Sequence, residues 1–332
     1  MGNTIHMNNR FRLSKIVNIL VFLSLNYIAV NYLKKIALAN DIPYYIDFYN
    51  SAQLANLSII NLFNEYIWKN LLFFLNNLGL KGEFVFSFLS YFIYTIFSFY
   101  VFKSIKNFFK YKNNLELYFL YIISILFVAL PQTIVPVFNQ VRNGLAITLI
   151  IPALINNFSF LNTLLLILIS SLLHKSSFFF LLPLITFHLG RKIISIKNNR
   201  KIDKYLIIWL PVFLFVFLLI FYLFWKNVGM LDYYLNVGNS LNNFTGIFIF
   251  FVLLLLIIRT NGLFKENSLI THCLLFLNII YFFTVFSGRL YTSLNIPILF
   301  FIFKNKSKEI KYLYIFIILL KSLFEIRYAY LI

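Results

Sequence analysis

Apolar runs of about twenty residues recur from Ile16 to the C-terminus, and a helix needs a run of about that length to cross a bilayer. No polar segment is long enough to fold as a soluble domain. Within hydrocarbon a backbone must satisfy its own hydrogen bonds, as α-helices do. Hydrophobic residues fill 61% of the 332 positions, and charged residues only 12%. We therefore expect an all-α, polytopic integral membrane protein, organised as a single membrane domain over residues 1–332.

The N-terminal segment carries Arg10, Arg12 and Lys15 ahead of an apolar run at 16–33, a pattern that secretory signal peptides share. No clear small-residue cleavage site follows, and the run is long enough to span a membrane. It is interpreted as a retained first helix.

Three stretches are too long for one span. Residues 115–156 would form a helix of about 63 Å, 268–303 one of about 54 Å and 159–190 one of about 48 Å, against a hydrocarbon core of about 30 Å. Each is predicted to break at its polar centre: Asn139 to Asn143, Ser287 to Arg289, and His174 to Ser177. About eleven transmembrane helices result, at 16–36, 84–102, 115–137, 143–156, 159–173, 177–190, 205–225, 245–259, 268–287, 290–303 and 312–331.

The charge distribution predicts the orientation. The net charge is +19, and with the N-terminus in the cytoplasm 19 of the 29 lysines and arginines fall on the inner side. This asymmetry is typical of membrane topology and requires no nucleic-acid partner. Lys34 and Lys35 are exceptions, since they lie at the outer end of the first helix.

Two longer connections are predicted on the outer side, at 37–83 and 226–244. The stretch 59–78 within the first has apolar residues at helical spacing, which indicates an amphipathic helix that is interfacial or re-entrant. Glu65 in this stretch is a candidate substrate-binding residue. Its spacing of four from Lys69 more often indicates an ordinary ion pair.

The start of the first outer loop is acidic and aromatic, from Ile42 to Tyr49. Tyr49 is predicted to stack on a sugar ring. Asp47 or Asp41 is predicted to accept a hydrogen bond from the sugar or to act as a general base, with Asp47 as the candidate catalytic residue. The alternative is an aromatic belt at the membrane interface with a solvated carboxylate.

Arg142 is predicted to open a helix at the outer interface. Helix N-terminal amides bind anions, and a guanidinium adds a bidentate donor for phosphate. The flanking Asn139, Gln140 and Asn143 favour a substrate site over the alternative, an arginine that reaches the lipid headgroups. A charge within apolar sequence is costly, which supports a catalytic role for Arg142.

Two further polar centres have the same setting. His174 is a candidate acid, base or phosphate ligand beside the candidate binding residue Lys175, although a lone histidine at a turn is more often structural. Arg289 follows Gly288 at a predicted break and is a candidate catalytic cation, with Tyr291 as a candidate substrate contact.

Nucleotide and metal chemistry have no signature in this chain. Walker, dinucleotide-binding, HExxH and GxSxG motifs are absent. The single cysteine, Cys273, excludes an intrachain disulfide, and its apolar surroundings indicate a packed thiol. We therefore expect no cofactor and no metal.

The ordered series of motifs resembles the EpsG-like branch of the Wzy-type polysaccharide polymerases, over about residues 16–303. The family's usual arginine–glutamine pair is Arg142–Asn143 in this chain. The residues that carry the resemblance, in chain order, are Asp47-Phe48-Tyr49, Glu65, Val141-Arg142-Asn143-Gly144-Leu145-Ala146, Leu173-His174-Lys175-Ser176-Ser177 and Arg289-Leu290-Tyr291.

The resemblance implies a multi-pass enzyme of the bacterial inner membrane that acts in O-antigen, capsule or exopolysaccharide assembly. Such an enzyme transfers a growing glycan from undecaprenyl diphosphate to the next lipid-linked repeat unit at the outer face. The implied partners are undecaprenyl-diphosphate-linked oligosaccharides and membrane lipid, with a chain-length regulator as a further candidate. Arg142 and Arg289 would stabilise the leaving diphosphate, and His174 or Asp47 would act as the base.

Three alternatives remain open. A GT-C-like glycosyltransferase that uses a polyprenyl phosphate sugar would usually show a stronger acidic pair than Asp41 and Asp47. A flippase or transporter is opposed by the low glycine and proline content and by polar centres gathered on one face. An O-acyltransferase would also carry histidine and arginine in its spans, but would normally meet its donor from the cytoplasm.

Overall fold

The computed structural model of the chain describes residues 2–36, 41–51, 66–106, 109, 113–156 and 158–196. It also describes shorter pieces further along, at 269–270, 272–273, 294–300, 302, 311–312, 315–316, 318–319 and 322–323. Every regular element in this part of the chain is helical, which agrees with the all-α prediction. The predicted spans 205–225 and 245–259, and the loop between them at 226–244, lie outside the described residues.

Ten helices are named within the described ranges up to residue 196, nine α-helices and one 3₁₀-helix. They are α1 (Gly2–Ile36), α2 (Ile42–Asn50), α3 (Tyr66–Asn77), α4 (Gly82–Lys106), α5 (Asn114–Val128), α6 (Pro131–Phe138), α7 (Val141–Ile155), α8 (Phe160–Leu173), the 3₁₀-helix Lys175–Phe180, and α9 (Leu181–Ile196).

Two helices in the described part are long and apolar enough to cross a bilayer. These are the segment Ser14–Ile36 of α1, with a mean hydropathy of 1.8, and α4, with 1.7. They coincide with the first two predicted spans, 16–36 and 84–102. The apolar helices Asn114–Val128, Val141–Ile155 and Phe160–Leu173 are shorter.

The chain divides into two compact units. One comprises Met1–Thr148 with Ile298–Ile332, and the other comprises Leu149–Pro297. Helices α1 to α6 and the first two turns of α7 belong to the first unit. Helix α8, the 3₁₀-helix and α9 belong to the second.

In the first unit, α1, α4 and α5 pack through an aromatic cluster. Phe22 of α1 lies 4.9 Å from the ring of Tyr121 on α5, and Phe102 of α4 lies 4.8 Å from that same ring. A second contact joins α5 to α4, where the Tyr94 hydroxyl donates to the backbone oxygen of Ile125 at 2.7 Å. A buried phenol needs such an acceptor, so this hydrogen bond fixes the position of α5 along α4.

The predicted continuous helix at 115–137 is wrong, because the structure breaks it into α5 and α6. Pro131 is the cause, since it provides no N–H donor and disfavours helical backbone at the residue before it. Leu130 accordingly has a ψ of 145°. The Thr133 side-chain oxygen lies 2.8 Å from the backbone oxygen of Phe127 and 2.9 Å from that of Val128, so it caps the end of α5.

Two of the three predicted breaks lie within the described residues, and both agree with the prediction. Helix α6 ends at Phe138 and α7 begins at Val141, so Arg142 lies in the first turn of a helix as expected. Helix α8 ends at Leu173, and His174 has extended backbone, with φ −150° and ψ 118°. The third predicted break, at Arg289, lies outside the described residues.

Candidate functional site

Helix α2 presents one aromatic face to the protein. Pro43 suits the first turn of a helix, where a missing N–H is tolerated. Ile42, Tyr45 and Tyr49 follow at intervals of three and four, so they share a face, and all three are buried. The opposite face carries Tyr44, which is 68% exposed. The short helix is therefore held at the protein surface by its two inward tyrosines.

The inward face of α2 forms an aromatic cluster of Tyr45, Tyr49, Trp68 and Phe86. Tyr45 stacks on Phe86 at 5.6 Å and meets the ring of Trp68 edge-on at 6.0 Å. Tyr49 meets Phe86 edge-on at 6.1 Å. Trp68 and Phe86 are 1% and 0% exposed, so the cluster joins α2, α3 and α4 around a closed centre.

Tyr49 connects this cluster to the turn between α3 and α4. Its hydroxyl donates to the backbone oxygen of Leu80 at 2.8 Å, and its own carbonyl accepts from the Asn76 side chain at 3.1 Å. Burial raises the pKa of the Tyr49 phenol above its usual value, so the group stays protonated and keeps donating. Its ring was predicted to stack on a sugar. The structure instead places that ring inside the aromatic cluster.

A phenylalanine at position 49 is expected to lower the stability by about 1 kcal/mol, because the carbonyl of Leu80 loses its donor. Thermal unfolding of the purified, detergent-solubilised protein measures this loss. The raised pKa of Tyr49 means that its contribution is complete below about pH 10 and declines as the pH rises above that value. The difference between wild type and Tyr49→Phe should therefore shrink in strongly alkaline buffer. A constant difference would show that the hydroxyl is not responsible.

Arg142 reaches the aromatic cluster from the start of α7. Its guanidinium carbon lies 5.5 Å from the centroid of the Tyr45 ring, within the range of a cation–π contact. The residue is half-buried, and its Nε atom is enclosed by the protein. The structure therefore joins two features that the sequence presents about a hundred residues apart, the aromatic first loop and the arginine of the polar centre at Asn139 to Asn143.

The other polar residues of this centre support the start of α7. Asn143 is 1% exposed, and its side-chain nitrogen donates to the side-chain oxygen of Gln140 at 3.1 Å. Gln140 in turn accepts at its backbone oxygen from the N–H of Gly144 at 2.8 Å. Asn139 and Gln140 are half-buried. Asn143 therefore braces the helix start, while Arg142 and Gln140 retain access to the surface.

Gly144 sets how closely α7 approaches its neighbours. A Cβ atom at this position would overlap the backbone oxygen of Pro136 on α6, and would lie 3.1 Å from the Cδ1 atom of Ile93 on α4. The lack of a side chain thus allows α7 to begin directly against α6. Arg142 lies two residues earlier, so this close approach also positions its guanidinium.

Asp47 lies on the exposed side of α2, away from the aromatic cluster. It is two residues from both Tyr45 and Tyr49, and two residues correspond to about 200° around a helix. The structure therefore does not bring the Asp47 carboxylate to the face where Arg142 contacts Tyr45. Glu65, Arg289 and Tyr291 lie outside the described residues.

His174 belongs to the second unit, between α8 and the 3₁₀-helix. Its N–H donates to the backbone oxygen of Ser170 at 2.9 Å, and its own backbone oxygen accepts from Ser177 at 3.0 Å. The side chains of Ser170 and Ser177 are hydrogen-bonded at 2.9 Å. The half-buried imidazole is thus held at a well-braced turn. Lys175 is described only through its backbone, as the first residue of the 3₁₀-helix.

Tyr45, Trp68 and Phe86 were not singled out from the sequence, although they surround Arg142 or support its partner. The spacing of Ile42, Tyr45 and Tyr49 by three and four residues was the available signal, because it places both tyrosines on one helical face. In the described part of the chain, no group of three histidine, cysteine, aspartate or glutamate side chains could hold a metal ion.

Comparison with known proteins identifies the family. The model of the EpsG family matches residues 15–330, nearly the whole chain. Neither the curated proteins nor the solved structures give a significant match. The matched range includes the aromatic first loop, the Arg142 centre and the His174 turn. The chain therefore belongs to the EpsG family, whose members are Wzy-type polysaccharide polymerases.

Proposed function

We propose that this protein joins undecaprenyl-diphosphate-linked oligosaccharide units at the outer face of the bacterial inner membrane. The single observation that carries the proposal, beyond family membership, is the position of Arg142. A helix start holds its guanidinium, and the ring of Tyr45 lies beneath it at 5.5 Å. The proposed topology has about eleven transmembrane helices and a cytoplasmic N-terminus, and the basic inner loops support it.

In the proposed reaction, a hydroxyl of the acceptor sugar attacks the anomeric carbon of the donor glycan. The new glycosidic bond forms as the bond from that carbon to the diphosphate oxygen breaks. Polyprenyl diphosphate leaves, and the proton of the acceptor hydroxyl passes to a base. Negative charge develops on the leaving oxygen, and a fixed cationic donor stabilises that charge more in the transition state than in the ground state.

Arg142 is suited to this role by its chemistry. A guanidinium stays charged at any physiological pH and offers N–H donors in a planar fork that matches phosphate oxygens. In a cation–π contact, the face of the aromatic ring attracts the positive charge of the guanidinium. The N–H groups in the plane of the guanidinium can still donate hydrogen bonds to an anion. Arg289 is proposed as the second cation. Asp47 and His174 are the candidate bases, and Asn139, Gln140, Lys175, Glu65 and Tyr291 are candidate binding residues.

The exposed aromatic ring of α2 gives a second surface for the substrate. Tyr44 is 68% exposed and lies one residue from Tyr45, on the outward side of the helix. We assign to Tyr44 the sugar-stacking role that the sequence suggested for Tyr49. Asp47 shares this outward side, where it could accept hydrogen bonds from sugar hydroxyls.

A chromosomal deletion, complemented by wild type or by empty vector, tests the proposal. The deletion is expected to replace the ladder of long surface polysaccharide on a gel with a single band carrying one repeat unit. The wild-type gene should restore the ladder. Persistence of long chains in the deletion would exclude a polymerase and favour a modifying enzyme such as an acyltransferase. Repeat units trapped in the cytoplasm would favour a flippase.

A further inference from the structure

An open groove runs between α1 and α4 in the first unit, with a volume of about 940 Å³. Its walls are apolar along most of their length, and it ends at two lysines. Tyr27 and Ile28 of α1 are 59% and 64% exposed, and Phe84 and Phe88 of α4 are 60% and 55% exposed. These helices are the two in the described structure that can cross a bilayer. Exposed apolar side chains on a helix that crosses a bilayer face lipid, so we expect the groove to open towards hydrocarbon.

Phe84 and Phe88 line the groove on the α4 side, and Phe92 continues their stack of rings beyond the residues that line it. Phe84 lies 6.4 Å from Phe88, and Phe88 lies 6.5 Å from Phe92, with interplanar angles of 18° and 20°. On the α1 side, the groove extends from Lys34 to Leu23, a separation of eleven positions that corresponds to about 16 Å of helix. That length is about half of the hydrocarbon core of a bilayer. An extended, single hydrocarbon chain fits such a slot.

The polar end of the groove is positively charged. Lys34 donates from its Nζ atom to the Ser87 hydroxyl at 2.9 Å, which holds the ammonium across the mouth of the groove. Lys81 also lines the mouth, directly before the first residue of α4. Glu83 lies there too, but in the first turn of α4, where the positive end of the helix dipole already compensates a carboxylate. The mouth of the groove therefore carries two ammonium groups and one carboxylate whose negative charge is partly compensated, so its net charge is positive.

We propose that this groove binds the polyprenyl diphosphate of the acceptor, because the proposed reaction places the leaving diphosphate of the donor at Arg142, which does not line the groove. The diphosphate lies between Lys34 and Lys81, and the isoprenoid chain lies along the phenylalanine wall. This inference rests on the proposed function, because that function supplies the lipid. It also accounts for Lys34, which opposes the charge rule that orients the rest of the chain. A headgroup with two phosphates matches two lysines better than the single phosphate of a bilayer phospholipid.

Photocrosslinking of the purified, full-length protein tests this proposal with radiolabelled undecaprenyl diphosphate as the probe. The photoreactive residue p-benzoylphenylalanine replaces Phe88 in the groove. In a matched control it replaces Phe119, a phenylalanine on α5 that is 62% exposed and does not line the groove. Labelling is expected at position 88 and not at position 119. Equal labelling at both positions would mean nonspecific contact with the lipid and would overturn the proposal.

The lysines are tested in the same crosslinking experiment. Lys34→Gln with Lys81→Gln should lower labelling at position 88 by about tenfold or more, because charge-assisted bonds to the phosphates are lost. Glutamine retains a donor for Ser87, which protects the fold. Lys35→Gln is the matched control, since Lys35 is exposed, adjacent in sequence and outside the groove. Undiminished labelling in the double variant would overturn the assignment of the lysines.

Competition separates the polyprenyl diphosphate from ordinary lipid. Excess unlabelled undecaprenyl diphosphate should abolish labelling at position 88, and an equal excess of phosphatidylglycerol should not. If both compete equally, the groove holds bilayer lipid and the proposal fails. This failure can be distinguished from failure of the proposed function. If position 88 is not labelled but deletion of the gene still eliminates the ladder, only the assignment of the groove is wrong. If position 88 is labelled specifically but the deletion strain keeps a normal ladder, only the proposed polymerase function is wrong.

Discussion

Replacing Arg142 with alanine is expected to eliminate the polysaccharide ladder while the protein remains in the membrane at its normal level. The variant loses the fixed cation proposed to stabilise the leaving diphosphate, and removal of one such donor lowers a rate by about 10²–10³-fold. A reduction of that size leaves too few transfer steps to extend the chain. The measurement is the gel ladder from the complemented deletion strain, together with an immunoblot of its membrane fraction.

Companion variants separate the charge from its position. Arg142→Lys keeps a positive charge but loses the planar fork, so only partial restoration of the ladder is expected. Tyr45→Phe keeps the ring beneath the guanidinium and should preserve the cation–π contact. Tyr45→Leu removes the ring and should shorten the chains, because the guanidinium loses a contact worth about 0.5–2 kcal/mol.

Lys103 provides the matched control for Arg142. It also lies over an aromatic ring in the first unit, with its Nζ atom 5.9 Å from the centroid of Phe300. It belongs to the last turn of α4, at the end opposite to Gly82 and the aromatic first loop. Lys103→Ala should therefore leave the ladder intact. A wild-type ladder from Arg142→Ala, at a normal protein level, would remove Arg142 from the mechanism.

Replacing Gly144 with alanine is expected to destabilise the protein by about 2–3 kcal/mol, in the upper part of the range for an overpacked core. The new methyl group would meet the backbone oxygen of Pro136, which cannot rotate away as a side chain would. Helix α7 must then move, and Arg142 moves with it. The expected result is both a lower unfolding temperature and a shortened ladder.

Gly82 is the natural comparison for Gly144. A Cβ atom there would lie 3.1 Å from Tyr49 Cδ1 and 3.4 Å from Ile46 Cγ2, and both are side-chain atoms that can shift by a few tenths of an ångström. Gly82→Ala should therefore destabilise the protein much less than Gly144→Ala. Similar losses from the two variants would show that α6 and α7 yield easily, so that Gly144 does not set the position of Arg142.

Hydrophobic patterning predicted the helical class and most element positions in the described part of the chain. Residues 16–36 and 84–102 were long apolar runs, and the polar centres at Arg142 and His174 were correctly identified as breaks. Polar residues at the middle of an overlong apolar stretch strongly indicate a helix break. If the stretch were one straight helix, these residues would lie in the hydrocarbon, where polar groups are costly. The break at Pro131 was missed because Gln132 and Thr133 are a short polar pair between two largely apolar runs, so hydropathy alone did not mark it.

The arrangement of the site was much harder to predict. Nothing in the linear sequence indicates that Arg142 contacts Tyr45, since the contact depends on the packing of α2 and α7 within the first unit. The role of Tyr49 was likewise ambiguous, because a tyrosine near a membrane interface serves equally well as a ligand contact or as a buried anchor. Only its burial and its bond to Leu80 distinguish the two.

Helix α4 meets a different neighbour on each side. Phe86 enters the aromatic cluster, Ser87 and Phe88 line the groove, and Ile93 contacts the position where Gly144 has no side chain. Few of its residues are therefore left to vary freely. In a library of single substitutions across the chain, α4 should show the narrowest tolerance between positions 82 and 94. Substitutions that adapt the protein to a different substrate would then be expected outside α4. The outward side of α2 is one such surface, because a change there disturbs only one contact.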